Sequence, residues 1–150
     1  MILNKQVGVF LNLVHCQFKQ FLGSIFQKHG FNLTPEQYLV MDTLWDEGIL
    51  SQQKIADILI KDKNSVTKLI DALEKKGLVK RVPDTLDRRQ NNIHLTEQAL
   101  LLKDDVTSIA IETTNAIIRN IPIDQIVTFV KVLNKMSENI NTYNGYSSKA

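Results

Sequence analysis

Apolar residues recur at helical spacing through most of this 150-residue chain. Over residues 5–29 they stand at Phe10, Leu13, Val14, Phe18, Phe21, Leu22, Ile25 and Phe26, a stripe wider than one face of a surface helix. Such a helix needs cover on two sides, and in a chain this small a second subunit is a natural cover. Gly30 stands where a residue just past a helix end takes positive φ. Thr34, Pro35 and Gln37 then make a capping box with proline at the first helical position, ahead of Tyr38, Met41, Leu44 and Trp45 on one face. Ser51 caps a short third helix ending at Leu59. Asp62 caps a fourth over residues 63–76, in which Val66, Leu69, Ile70 and Leu73 form the apolar stripe and Gly77 the stop.

The period then changes. Residues 78–83 and 91–95 are β-compatible, and the charged, turn-forming segment 84–90 between them predicts a hairpin with a polar tip. Thr96 caps a long helix whose Ala99, Leu102, Val106, Ile109, Thr113 and Ala116 alternate steps of three and four, a heptad-like seam. Pro122 interrupts it, and Ile126, Val130, Leu133 and Ile140 define a last helix, with a polar tail after Asn141 expected to fray. The fold class is mainly α with a small β-hairpin. A chain of this length fits one domain, here residues 1–150.

Charge adds the functional clue. Residues 51–95 carry ten of the eighteen Lys and Arg and six acids, a net +4, whereas each flank carries −1. A basic block on two helices and a hairpin points to phosphate binding. The same block contains no Phe, Tyr or Trp, which disfavours the base stacking used with RNA. Cys16 is the one cysteine, so no internal disulfide forms and a reducing cytoplasm is the economical reading. No apolar run suits a membrane span, and no signal-peptide layout opens the chain. No glycine-rich phosphate loop, Gly-x-Ser-x-Gly elbow or His-Glu-x-x-His occurs, and His15, His29 and His94 are scattered, so neither an enzyme, a cofactor nor a metal site is expected.

In a helix-turn-helix the second helix enters the DNA major groove. Opposite its apolar stripe, the fourth helix shows Asn64, Ser65, Thr67, Lys68, Asp71 and Lys75. Asn pairs two-pronged with adenine, hydroxyls bond either kind of edge, and Lys reaches guanine or phosphate. With the short helix before it and the basic hairpin after it, the pattern is a winged helix-turn-helix. The candidate DNA contacts are Ser51, Gln52, Lys54, Lys63, Asn64, Ser65, Thr67, Lys68, Lys75, Arg81, Asp87, Arg88 and Arg89.

These residues resemble the MarR family of bacterial transcription regulators. The likeness begins at Leu33-Thr34-Pro35-Glu36-Gln37-Tyr38 and runs through the recognition-helix segment from Asn64 to Arg81, Asp87-Arg88-Arg89 and Leu95-Thr96-Glu97. It implies a homodimer with residues 1–30 and 97–142 as dimerisation helices and 34–95 as the winged lobe, in which 51–76 is the helix-turn-helix and 78–95 the wing. It also implies Arg89 in the minor groove, held by Asp87, where a planar guanidinium suits the concentrated negative potential. Arg88 is assigned to phosphate. Pairing of the 99–116 seam with the first helix across a two-fold axis would set the recognition helices one DNA turn apart. The implied function is a sequence-specific repressor on a pseudo-palindromic operator. Three positions depart from the family pattern: Lys54 replaces a capping acid, Lys68 a frequent arginine, and Gln98-Ala99 a common Lys-Gly.

Many MarR relatives release DNA when a small aromatic acid binds, and the candidate pocket here is His15, Tyr38, Met41 and Trp45, each also suited to core packing. Cys16, with only His15 beside it, is expected to be buried and inert. The alternatives are a thiol- or metal-responsive regulator of the same fold, and a winged-helix interaction module without a role in transcription.

Overall fold

A computed structural model describes residues 2–147 and divides into two compact units, one ending at Thr113 and one beginning at Thr114. The first unit opens with α1 (Leu3–Lys28), α2 (Pro35–Glu47), β1 (Leu50–Ser51), α3 (Gln52–Leu59) and α4 (Lys63–Lys75). It continues through β2 (Val79–Pro83), β3 (Asn91–Leu95) and most of α5 (Glu97–Ile117). The second holds the end of α5 and all of α6 (Ile123–Ser147). No described helix is long and apolar enough to cross a membrane.

The helix starts follow the sequence closely. The Thr34 hydroxyl accepts the Gln37 N–H at 3.1 Å and the Gln37 side chain accepts the Thr34 N–H at 3.2 Å, so both halves of the capping box form. Ser51 accepts the Lys54 N–H at 3.1 Å, and Asp62 accepts the Ser65 N–H at 2.8 Å. Thr96 accepts the Ala99 N–H at 3.3 Å while its own hydroxyl donates to the Gly77 carbonyl at 2.7 Å. Each bond satisfies a backbone or side-chain group that helix geometry leaves open. Between α5 and α6, Pro122 has no N–H to extend the first helix, but its carbonyl accepts the Ile126 N–H that opens the second.

The sheet contains one strand more than the sequence suggests. Its order is β1-β3-β2, all antiparallel, with Leu50 opposite Ile93 on one side and Arg81 opposite Ile93 on the other. Two residues are too short for a period-two pattern to register, and Ser51 serves at once as a strand residue and as the cap of α3. The consequence is that β3 is paired along both edges, so the hairpin is rooted in the helix-turn-helix.

Phe26, Val40, Met41, Leu44, Ile55, Val66, Ile70, Leu73, Ile93 and Val106 form a core with no exposed surface. It draws on α1 to α5 and on β3, and with Val79 of β2 and Leu50 of β1 packed on it, every element of the first unit is tied to it. Phe26 meets Phe31 and Tyr38 edge-on, with ring centroids 6.0 and 5.3 Å apart.

Three expectations change. Ala99 and Val106 of the α5 seam are fully buried, and Leu102 and Ile109 pack against the same core. The seam from Ala99 to Thr113 therefore closes the chain's own lobe, whereas Leu100, Leu101, Ile111 and Ala116 are exposed. Cys16 is exposed rather than buried, because α1 meets the lobe's core only from Phe18 onward, with Leu22 and Phe26 buried. The stretch after Asn141 continues as helix to Ser147; residues 148–150, with Met1, lie outside the described residues.

The turn after α3 holds a strained backbone position. Ile60, at the turn between α3 and α4, has φ 52° and ψ 49° and is 88% exposed. A β-branched residue meets its own backbone in this left-handed region, and with its side chain in water it gains no packing in return. Ile60→Gly is expected to stabilise the fold by about 0.5–1 kcal/mol, the strain relieved outweighing the added freedom of the unfolded chain. Thermal unfolding should register this as a Tm about 2 °C higher, and a lower Tm would mean the turn is not held in this conformation.

Candidate nucleic-acid interface

The second helix of the helix-turn-helix presents a polar face at its N-terminal end. Lys63, Asn64, Lys68 and Lys75 are exposed, while Ser65 and Thr67 are half-buried. The difference has a cause in each case. The Ser65 hydroxyl donates to the Asp62 carboxylate at 2.7 Å, and this bond with the Ser65 N–H holds that carboxyl below its ordinary pKa of 3.8. The Thr67 hydroxyl donates to the Lys63 carbonyl at 2.9 Å and accepts from Gln52 Nε2 at 2.7 Å. Ser51, Gln52, Ser65 and Thr67 are thus occupied within the chain. By contrast Lys54, Lys63, Lys68, Lys75 and Arg88 make no ion pair among the described residues.

At the wing tip, Asp87 Oδ1 accepts both the Arg89 N–H at 3.0 Å and Arg89 Nε at 3.3 Å. The carboxylate fixes the base of the guanidinium, and the side chain as a whole is still 93% exposed. The hairpin around it is closed by the Asp84 N–H donating to the Gln90 carbonyl at 2.9 Å and the Gln90 N–H to the Asp87 carbonyl at 3.0 Å. Arg88 is exposed beside it. A cleft of about 280 Å³ separates the wing's foot from the starts of α3 and α4, with Ser51, Gln53, Lys63, Arg89 and Asn91 among its lining. Gln53, Gln90 and Asn91 were not singled out from sequence; their sole signal was adjacency to Ser51 and Arg89.

Arg81 departs from the expectation of a free cation. Its guanidinium, 20% exposed, bonds Asp71 Oδ1 at 2.7 Å and Glu74 Oε1 at 3.1 Å. It is paired internally because β2 runs against α4, where these two acids lie one turn apart.

The expected effector pocket does not assemble. Met41 is fully buried in the core, and Trp45, 8% exposed, donates its indole N–H to the Ala99 carbonyl at 3.0 Å. Tyr38 is half-buried, with its hydroxyl donating to Asp42 at 3.4 Å. Burial, helped by the neighbouring Asp42, pushes its pKa up to about 12. Asp42 is itself raised, by burial first and then by Asp46. His15 lies exposed on α1. A second cleft, about 200 Å³, opens between the α1–α2 loop and the start of α5 and is lined by other residues, including Phe31, Lys76, Leu78 and Gln98.

An antiparallel hairpin beside a capped helix pair, with unpaired cations on the second helix and the hairpin tip, defines a winged helix-turn-helix protein. Residues 33–90 match the sequence model of the MarR family. Over 98 residues the chain is 29% identical to the HTH-type transcriptional regulator MgrA of Staphylococcus aureus, covering 65% of each protein. The match thus spans just under two thirds of that relative's length. The structure of reduced AbfR bound to DNA aligns at 26% identity with a TM-score of 0.75, covering 92% of this chain and 94% of that one. BpsR of Bordetella bronchiseptica, whose DNA binding is regulated by 6-hydroxynicotinic acid, aligns with a TM-score of 0.81 over 91% of this chain and 96% of its own. At 23% identity that second likeness is one of fold alone.

Proposed function

We propose that this chain is a sequence-specific, double-stranded-DNA-binding transcriptional regulator that represses from an inverted-repeat operator as a homodimer. One observation carries the reading: exposed cations on the recognition helix, its neighbour and the wing, among them Lys54, Lys63, Lys68, Lys75 and Arg88, make no ion pair among the described residues, with Arg89 held ready at the tip. Surface cations that are not spent on carboxylates are available to phosphate, and Asn64 and Lys68 on the exposed face of α4 suit base edges. AbfR, similar over nine-tenths of the chain, is known bound to DNA.

Dimerisation is supported by apolar surface outside the lobe's core. Val7, Phe10, Leu11, Leu13 and Val14 of α1 are exposed, as are Phe129, Val130 and Val132 of α6. Isolated exposed apolar residues mean little, but a run of them along a helix marks an interaction face. Repression rests on the family likeness. A small aromatic effector remains part of the proposal, its site lying elsewhere than around Met41 and Trp45.

The test is selection of duplexes from a random pool. A recovered motif with two inverted half-sites about 10 bp apart is expected from two-fold related recognition helices. Affinity for it should fall with rising salt at a slope of about −0.9 for each phosphate contact. Recovery of no preferred motif, or preference for single strands, would remove this function.

A further inference from the structure

Asp71 sits on the polar face of α4 that should meet a polyanion, Glu74 lies on its flank beside β2, and with Arg81 the two carboxylates form a cluster of net charge −1. Such a cluster repels phosphate, so its presence there calls for a role other than attraction. We propose that Arg81 is a positioning residue that locks α3, α4 and the wing into one reading head, and that it governs sequence discrimination without touching phosphate. This inference rests on the DNA-binding reading above.

The geometry is that of a fork filled from several sides. Arg81 Nη2 meets Asp71 Oδ1 at 2.7 Å and the Thr67 carbonyl at 3.4 Å. Nη1 meets Glu74 Oε1 at 3.1 Å, and Nε meets Gln52 Oε1 at 3.4 Å. The backbone N–H of Arg81 donates to the other Glu74 oxygen at 3.1 Å, so that carboxylate grips side chain and main chain of β2 together. Gln52, at the first turn of α3, passes the connection on: its Nε2 donates to the Thr67 hydroxyl at 2.7 Å, which in turn donates to the Lys63 carbonyl at 2.9 Å. One planar cation thereby joins the start of α3, two turns of α4 and the strand that carries the wing. Five donors in a rigid plane suit this task, whereas an ammonium would reach one partner at a time.

Attraction and discrimination depend on different things. Attraction to any duplex follows the number of cations offered to phosphate. Discrimination needs Asn64 and Lys68 on α4 and Arg89 on the wing held in one register, since base contacts specify and phosphate contacts only position. A cluster that lowers the net charge of the face while fixing that register trades the first for the second.

The experiment compares Arg81→Lys and Asp71→Asn with the wild type. Binding to a duplex selected by the wild type and to a random-sequence duplex is measured across a salt series, with thermal unfolding as the check on folding. Both variants are expected to lose about 10-fold in the ratio of selected to random affinity, the scale of a mispaired base contact, with the salt slope unchanged. Asp71→Asn should bind random duplex more tightly than the wild type although it binds the selected one more weakly. Arg81 is overturned as a positioning residue if Arg81→Lys keeps the wild-type ratio, because charge alone then suffices. It is equally overturned if Asp71→Asn tightens both duplexes by the same factor. Because Asp71 is half-exposed at 51%, its neutral replacement keeps the test decisive even where the Arg81 variant fails to fold. A wild type that prefers no duplex sinks the DNA reading itself, a result distinct from either variant outcome.

Discussion

Arg89→Ala is expected to weaken binding to a selected duplex by about 10- to 100-fold, the range of a base-groove contact by arginine. Three effects act in one direction. An exposed cation is lost from a position with 93% of its surface free. The planar group that fits a narrow minor groove is lost with it. Asp87, whose oxygen had accepted two bonds from Arg89, is left as a bare carboxylate facing the duplex. Lys131→Ala on α6, also exposed but outside the basic block, should change affinity by less than about two-fold, as a remote surface charge does. Fluorescence anisotropy with a labelled duplex at fixed salt measures both. Equal losses would take the wing out of the interface.

The largest loss of stability is expected from Phe26→Ala, about 3–5 kcal/mol, which is a Tm lower by roughly 6–20 °C in a chain of this size. Phe26 has no exposed surface, and it meets Phe31 and Tyr38 edge-on. Its removal leaves a void bordered by rings that cannot close in, because Phe31 follows the end of α1 and Tyr38 belongs to α2. Only Leu22 and Phe26 of α1 are buried, so this one side chain supplies much of what fastens that helix to the lobe. Urea or thermal unfolding gives the number, and a loss below about 1 kcal/mol would mean that the site collapses without a cavity.

Much of this arrangement was legible in the residues. Local chemistry reads well: the caps at Thr34, Ser51, Asp62 and Thr96, the stop at Gly77 and the break at Pro122 each act within one turn of chain, and each forms as expected. The basic block and the Asp87–Arg89 pair were equally visible, since charge and short spacing survive folding. What escaped notice depends on partners distant in sequence. The heptad-like seam of α5 said that this face would be buried, but not that the lobe's own Trp45 and Val40 core would bury it. The strand β1 owes its existence to the free edge of β3 and not to any pattern of its own. Arg81 looked like its neighbours in the cationic run, and only the approach of β2 to α4 reveals that its charge is already answered. Met41 and Trp45 carried the right chemistry for an aromatic ligand and the right chemistry for a core, and nothing in a helical repeat distinguishes the two.

Trp45 is the only indole in the chain, buried to 8% exposure and hydrogen-bonded to the Ala99 carbonyl across the junction of α2 and α5. Its emission is therefore an intrinsic lamp for that junction, blue-shifted while the indole is dry and moving to the red once water reaches it. Any substitution at the basic surface leaves this lamp untouched, so one cuvette reports separately on the integrity of the scaffold and on the loss of its grip.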